Sequence, residues 1–112
     1  FCQEFGIDEN EMFRIAEGFG LGMSVMEMCG ALSGMAMIIG LSNSRGNTEE
    51  GSASKGDTYK KLRTYIQKFK EKNGSCICRE LKGVETGKVL CSCPQCITDA
   101  VALTEEYLAE NR

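Results

Sequence analysis

The apolar positions of this chain recur at helical spacing, and no segment sustains the two-residue alternation of a half-buried strand. Phe1 to Phe5 reads as the end of a helix stopped by Gly6. Asp8 with Glu11 three residues on forms a capping box, flanked by Ile7 and Met12 as a hydrophobic staple. Met12, Ile15, Ala16 and Phe19 then predict a core-facing stripe. Gly18-Phe19-Gly20-Leu21-Gly22 breaks that helix into a turn. The next helix is predicted from about Met26 to Leu41 and is apolar nearly all round, with Ser33 its one polar residue after Met28. Such a helix belongs in a core or a membrane, and this run is shorter than the about 20 residues a crossing needs. It has two candidate starts, a Ser24/Glu27 capping box or a later start near Glu27. Gly30 and Gly34 notch one face, and Gly40 follows.

Ser42 to Gly56 is rich in Ser, Gly and Asn and is expected to be a flexible loop. Asp57 is expected to cap a helix whose apolar side carries Tyr59, Leu62, Tyr65, Ile66 and Phe69, ended by Asn73-Gly74. A short helical turn is predicted within Ser75 to Leu81, then a loop through Gly83 and Gly87 to Ser92. Pro94 suits the first position of a last helix with Cys93 as its N-cap residue. Ile97, Ala100, Val101, Thr104, Tyr107 and Leu108 form its predicted buried stripe. The pattern predicts one all-α domain over residues 1–112, a small helical bundle around the central apolar helix. That helix exceeds what the other segments can cover, so we expect a homodimer with the Gly30/Gly34 notch near its axis.

Composition narrows the chemistry. The net charge of −3 gives no support to a nucleic-acid partner, and the nine basic residues against three acidic ones between Lys55 and Lys82 read as a solvated helix face. The chain has no His, which removes imidazole catalysis and Cys/His zinc fingers. The six methionines read as core gap-fillers.

Seven cysteines in 112 residues remain to be explained. Their odd number and the long helical patterns argue against a secreted disulfide framework, and no signal peptide is visible, so a cytoplasmic setting is expected. The chain opens Phe1-Cys2-Gln3 without Met, and we expect a segment upstream of it. Cys76-x-Cys78 and Cys91-x-Cys93-x-x-Cys96 hold five thiols in two clusters. Cys93 stands before Pro94 at a helix start, where unpaired N–H groups and the helix dipole favour a thiolate, and Cys96 lies one turn on. Cys2 reads as a small hydrophobe. The first reading is a thiol–disulfide oxidoreductase or electron carrier serving a redox partner protein, with Cys93 as nucleophile and Cys29, Cys78 or Cys96 as resolving partner. The second is a thiolate metal site of Cys29, Cys78 and Cys93, holding an iron–sulfur cluster sooner than redox-inert zinc. The third is a helical interaction protein with incidental thiols.

Four segments carry a resemblance: Gly18-Phe19-Gly20-Leu21-Gly22, Cys29-Gly30-Ala31-Leu32-Ser33-Gly34, Cys78-Arg79-Glu80-Leu81, and Cys93-Pro94 followed by Ile97 and Ala100. In order and spacing, over almost the whole chain, they resemble the redox-active C_GCAxxG_C_C protein family. The resemblance implies an all-α fold and a redox role carried by the cysteines, and it names no substrate. Three of the four cysteines in the family pattern correspond to Cys29, Cys78 and Cys93. The fourth falls upstream of Phe1, because Cys2 is too close to the Ile7-Asp8-Glu9 capping segment. Some members of the family are joined to electron-transfer modules, which implies a metal cluster as the alternative. Cys76, Cys91 and Cys96 are additions of this sequence.

Overall fold

The computed structural model describes residues 1–46, 49, 51 and 53–111. Among them are five α-helices and no strand: α1 (Glu9–Ala16), α2 (Gly30–Asn43), α3 (Lys55–Asn73), α4 (Cys78–Lys82) and α5 (Cys93–Glu110). The fold is all-α, as the spacing predicts, and no described helix is long and apolar enough to cross a membrane.

The core is the seam between α2, α3 and α5. Leu32, Met35 and Ile39 of α2 are buried at spacings of three and four, against Tyr65 and Phe69 of α3 and Tyr107 and Leu108 of α5. The Tyr65 and Tyr107 rings meet edge to face at 5.5 Å between centroids. Polar bonds fix the register of the three helices. Tyr65 donates its hydroxyl to Glu110 Oε2, and Tyr107 donates to Ser42 Oγ at 3.3 Å. At the other end the buried Asp99 accepts from Lys72, Asn73 and Gln95. Without those three donors a buried carboxylate would cost several kcal/mol, on the order of the penalty for any unpaired buried ion.

Several local expectations are corrected. The Asp8 cap is present, its side chain accepting from the Glu11 N–H at 2.9 Å, but α1 buries none of its residues and Ile15 is exposed. Only one stripe of α2 is fully buried; its remaining apolar residues are half-buried and Leu41 is exposed. Neither predicted start of α2 is used. Leu21, Gly22, Met23, Ser24 and Met26 all take positive φ, and α2 begins at Gly30 with Cys29 as N-cap. The physical reason is a competing pairing: Met28 bridges Ile77 in antiparallel fashion, and neither Glu27 nor Cys29 on its flanks has helical dihedrals. Ser54 replaces Asp57 as the N-cap residue of α3, and Asp57 sits in the first turn, where Asn43 and Lys61 bind it. Ser92 replaces Cys93 as the N-cap of α5, its Oγ accepting from the Gln95 N–H. In the α5 stripe, Ile97 and Val101 are exposed, and Cys96 and Asp99 are buried with Ala100, Thr104, Tyr107 and Leu108. The expected Ser42–Gly56 loop is shortened at both ends by α2 and α3, and its positions 47, 48, 50 and 52 lie outside the described residues.

Candidate functional site: a cavity walled by five thiols

The short Met28–Ile77 pairing brings the first half of the chain to the second. The Cys29 N–H donates to the Cys76 carbonyl at 2.9 Å, and the Cys78 N–H donates to the Glu27 carbonyl. Cys29 is thereby held at the head of α2 while Cys78 opens α4 beside it. Two glycines permit this approach. A Cβ on Gly22 would stand 2.7 Å from the Cys78 Cβ, and a Cβ on Gly30 would stand 2.7 Å from the Phe19 carbonyl oxygen. The Gly30 notch is therefore filled from within the chain by the Phe19–Gly20 backbone and not by a second subunit. Gly34 meets nothing within 4 Å.

The loop after α4 returns to the same place. Gly83 and Gly87 take the left-handed conformations that turn it, and the Leu90 and Cys91 N–H groups both donate to the Leu81 carbonyl. Ser92 then starts α5, which puts Cys93 in the first turn and Cys96 one turn further in. Cys96 donates its thiol to the Cys91 carbonyl at 3.8 Å.

These elements enclose a cavity of about 360 Å³ walled by Cys29, Cys78, Cys91, Cys93 and Cys96. Phe19, Leu21, Met37, Leu81 and Ile97 supply its apolar surface, and Lys82 is its single charged residue. Cys93 is exposed, whereas Cys29, Cys78, Cys91 and Cys96 are buried. Burial pushes the Cys78 thiol above its ordinary value; Lys82 draws it back down, and charge on Cys29 or Cys93 would raise it further. Burial also pushes the Cys96 thiol up, helped by its bond to Cys91 and by the nearness of Cys29. Cys29 and Cys93 both bear on Cys78, and Cys29 and Cys91 both bear on Cys96.

The four cysteines singled out from the sequence, Cys29, Cys78, Cys93 and Cys96, all reach this cavity. Among the described residues no three Cys, Asp or Glu side chains are grouped so as to hold a metal ion. Cys91 was legible only as part of Cys91-x-Cys93, and Lys82 carried no sequence signal. Cys76 is buried but does not line the cavity, and Cys2 lies away from it.

A family model described as "Putative redox-active protein (C_GCAxxG_C_C)" matches residues 1–107. No curated protein and no solved structure matches the chain.

Proposed function

The chain belongs to the redox-active C_GCAxxG_C_C family, and from that premise we propose that it is a thiol–disulfide exchange protein working through Cys93. The observation that carries this reading is the single cavity in which one exposed thiol stands in front of four buried ones. In the reductive direction the Cys93 thiolate attacks one sulfur of a partner's disulfide. The partner S–S bond breaks, its electron pair leaves on the other partner sulfur, and a Cys93–partner mixed disulfide forms. The Cys78 thiolate then attacks Cys93 Sγ, and the second partner sulfur leaves with its pair. The partner disulfide has gained two electrons and two protons, and the protein holds a Cys78–Cys93 disulfide. Cys78 is the resolving thiol because it lines the same cavity as Cys93 and is buried, which keeps it from competing for the first attack. Cys29 and Cys96 stand behind it as further exchange partners.

The protein's counterpart is a redox partner protein that presents a disulfide to the exposed Cys93. Free thiols suit a reducing compartment such as the cytoplasm. We also infer a homodimer. Gly40 of α2 is unfilled, and the groove beside it is lined by exposed Ile15 and Leu41 with half-buried Met12, Phe19 and Met37.

Trapping tests the exchange. Reduced Cys78→Ser protein incubated with an aromatic disulfide should accumulate a mixed disulfide on Cys93 by mass spectrometry, where the native protein passes on to an internal disulfide. Cys93→Ser should form neither. Equal reaction of Cys93→Ser and native protein would overturn the assignment, and so would stoichiometric iron or zinc in anaerobically purified protein.

A further inference from the structure

We propose that the thiol-walled cavity is itself a substrate site, and that it takes a small apolar alkyl dithiol or its cyclic disulfide carrying one anionic end. The inference rests on the exchange reading above and names the class of molecule that the exchange serves. Its basis is the wall. Apart from the cysteines and Lys82, every lining residue is apolar or glycine, from Ala16, Phe19 and Leu21 on one side to Met37, Leu81 and Ile97 on the others. A polar peptide disulfide would leave its amides unpaired against this surface, whereas an alkyl chain is favoured by it. The volume of about 360 Å³ lies near the lower end of the roughly 300–1,000 Å³ range of small-molecule sites. It suits a chain of several carbons, while a partner protein meets Cys93 from outside, where that thiol is exposed.

Two further features set the orientation. Lys82 is exposed and lines the cavity with Cys78 and Cys93, which places a positive charge at the cavity and open to solvent. A carboxylate would meet it there while the alkyl portion lies inward. Gly34 leaves the α2 side of the cavity empty, since a Cβ at that position touches nothing within 4 Å. A larger residue there would occupy the ligand's space.

The step balances as ordinary exchange. With the protein oxidised at Cys78–Cys93, one thiolate of the bound dithiol attacks Cys93 Sγ and the electron pair of the broken S–S bond leaves on Cys78, which takes a proton. The second thiolate of the ligand attacks the ligand sulfur now bonded to Cys93. A cyclic disulfide is released, and Cys93 leaves as thiolate and is protonated. The ligand has lost two electrons and two protons, and the protein has gained them.

The test compares reduction rates of the full, oxidised chain by dihydrolipoate, its neutral amide, and dithiothreitol, a polar dithiol. Dihydrolipoate should react about tenfold faster than dithiothreitol or more, the scale of discrimination set by a few buried methylenes. Gly34→Leu should erase that advantage, so that dihydrolipoate reacts no faster than dithiothreitol. Ile97→Trp fills the cavity from an exposed position and should do the same, so the question stays answerable if Gly34→Leu fails to fold by circular dichroism. Lys82→Gln should slow dihydrolipoate more than it slows the amide. Equal rates for dihydrolipoate and dithiothreitol on native protein overturn the substrate class while the exchange reading stands. An advantage that survives both filling variants overturns the cavity as the site. Failure of any oxidant to produce a Cys78–Cys93 disulfide overturns the exchange reading, and this inference with it.

Discussion

Gly22 and Cys78 leave no room between them: a Cβ on residue 22 would lie 2.7 Å from the Cys78 Cβ and equally near the Glu27 amide nitrogen. The residue also takes a φ of +57°. Both constraints fall on Gly22, which packs against the thiol proposed to resolve the mixed disulfide. Gly22→Ala should therefore cost about 1–3 kcal/mol, the usual scale for backbone strain of this kind, and should slow formation of the internal disulfide. Chemical denaturation measures the first effect and the trapping assay the second. Unchanged values for both would mean that the Gly22–Cys78 approach is not a constraint on the site.

Exposure sets the order of thiol modification. In native protein Cys93 should be alkylated first, ahead of the half-buried Cys2, and Cys91 and Cys96 last, because they react only after local opening. Timed alkylation with peptide mass mapping reads this order directly. Cys93 reacting no faster than Cys2 would remove it as nucleophile.

Burial raises the Cys78 thiol above its ordinary value. At neutral pH its thiolate is then scarcer than that of an ordinary cysteine, and the fraction grows as pH rises toward and past 9. The resolving step should accelerate over that range, with the Cys93 mixed disulfide longer-lived at pH 7 than at pH 9. Lys82→Gln removes a group that favours the Cys78 thiolate and should shift the profile to higher pH. Stopped reactions quenched in acid at several pH values check both outcomes.

Asp99 is buried; burial alone would raise its carboxyl, but the bonds from Lys72, Gln95 and Asn73 outweigh it and hold the group below its ordinary value of 3.8. A folded-state value below the unfolded one contributes stability that is fully present above about 3.8 and is lost as pH falls through the lower, folded value. Asp99→Ala should destabilise the protein at pH 7 by about 1–3 kcal/mol, since it leaves three donors without their acceptor. The difference between native and variant should narrow in acid. Thermal melts from pH 7 to pH 3 test the direction.

The dimer inference predicts twice the chain mass by light scattering at micromolar concentration. A charge placed in the groove, as in Leu41→Lys, should yield the monomer. A monomeric native protein would defeat the inference.

The helices and some of their ends were legible because caps, glycine stops and 3.6-residue stripes are local signals. The Asp8–Glu11 cap and the Gly74 stop follow from adjacent residues alone. The stripe was misread where an apolar residue faces the cavity: Ile97 has the spacing of a core position but lines an open pocket. The head of α2 was misplaced for another reason. Ser24 and Glu27 have the pattern of a capping box, yet Glu27 and Met28 pair with Ile77 and Cys78, a partner fifty residues away that no local pattern announces. The thiol cluster was readable as composition and spacing. Its walls were not, because Phe19, Met37 and Leu81 join it only through the packing of separate helices.

The Met28–Ile77 pairing also orders events in time. As the chain leaves the ribosome, Cys29 emerges long before Cys78, and Cys93 later still. Until the last helix docks, the thiols are independent groups on an open polymer, with no preferred mates. Proper pairing is thus an outcome of completed folding and cannot direct it, in contrast to small secreted scaffolds that are stapled as they form. A nascent chain exposed to oxidant at that stage would lock in whichever partners happened to meet, so a reducing milieu during maturation should favour the fold that the proposed disulfide cycle requires.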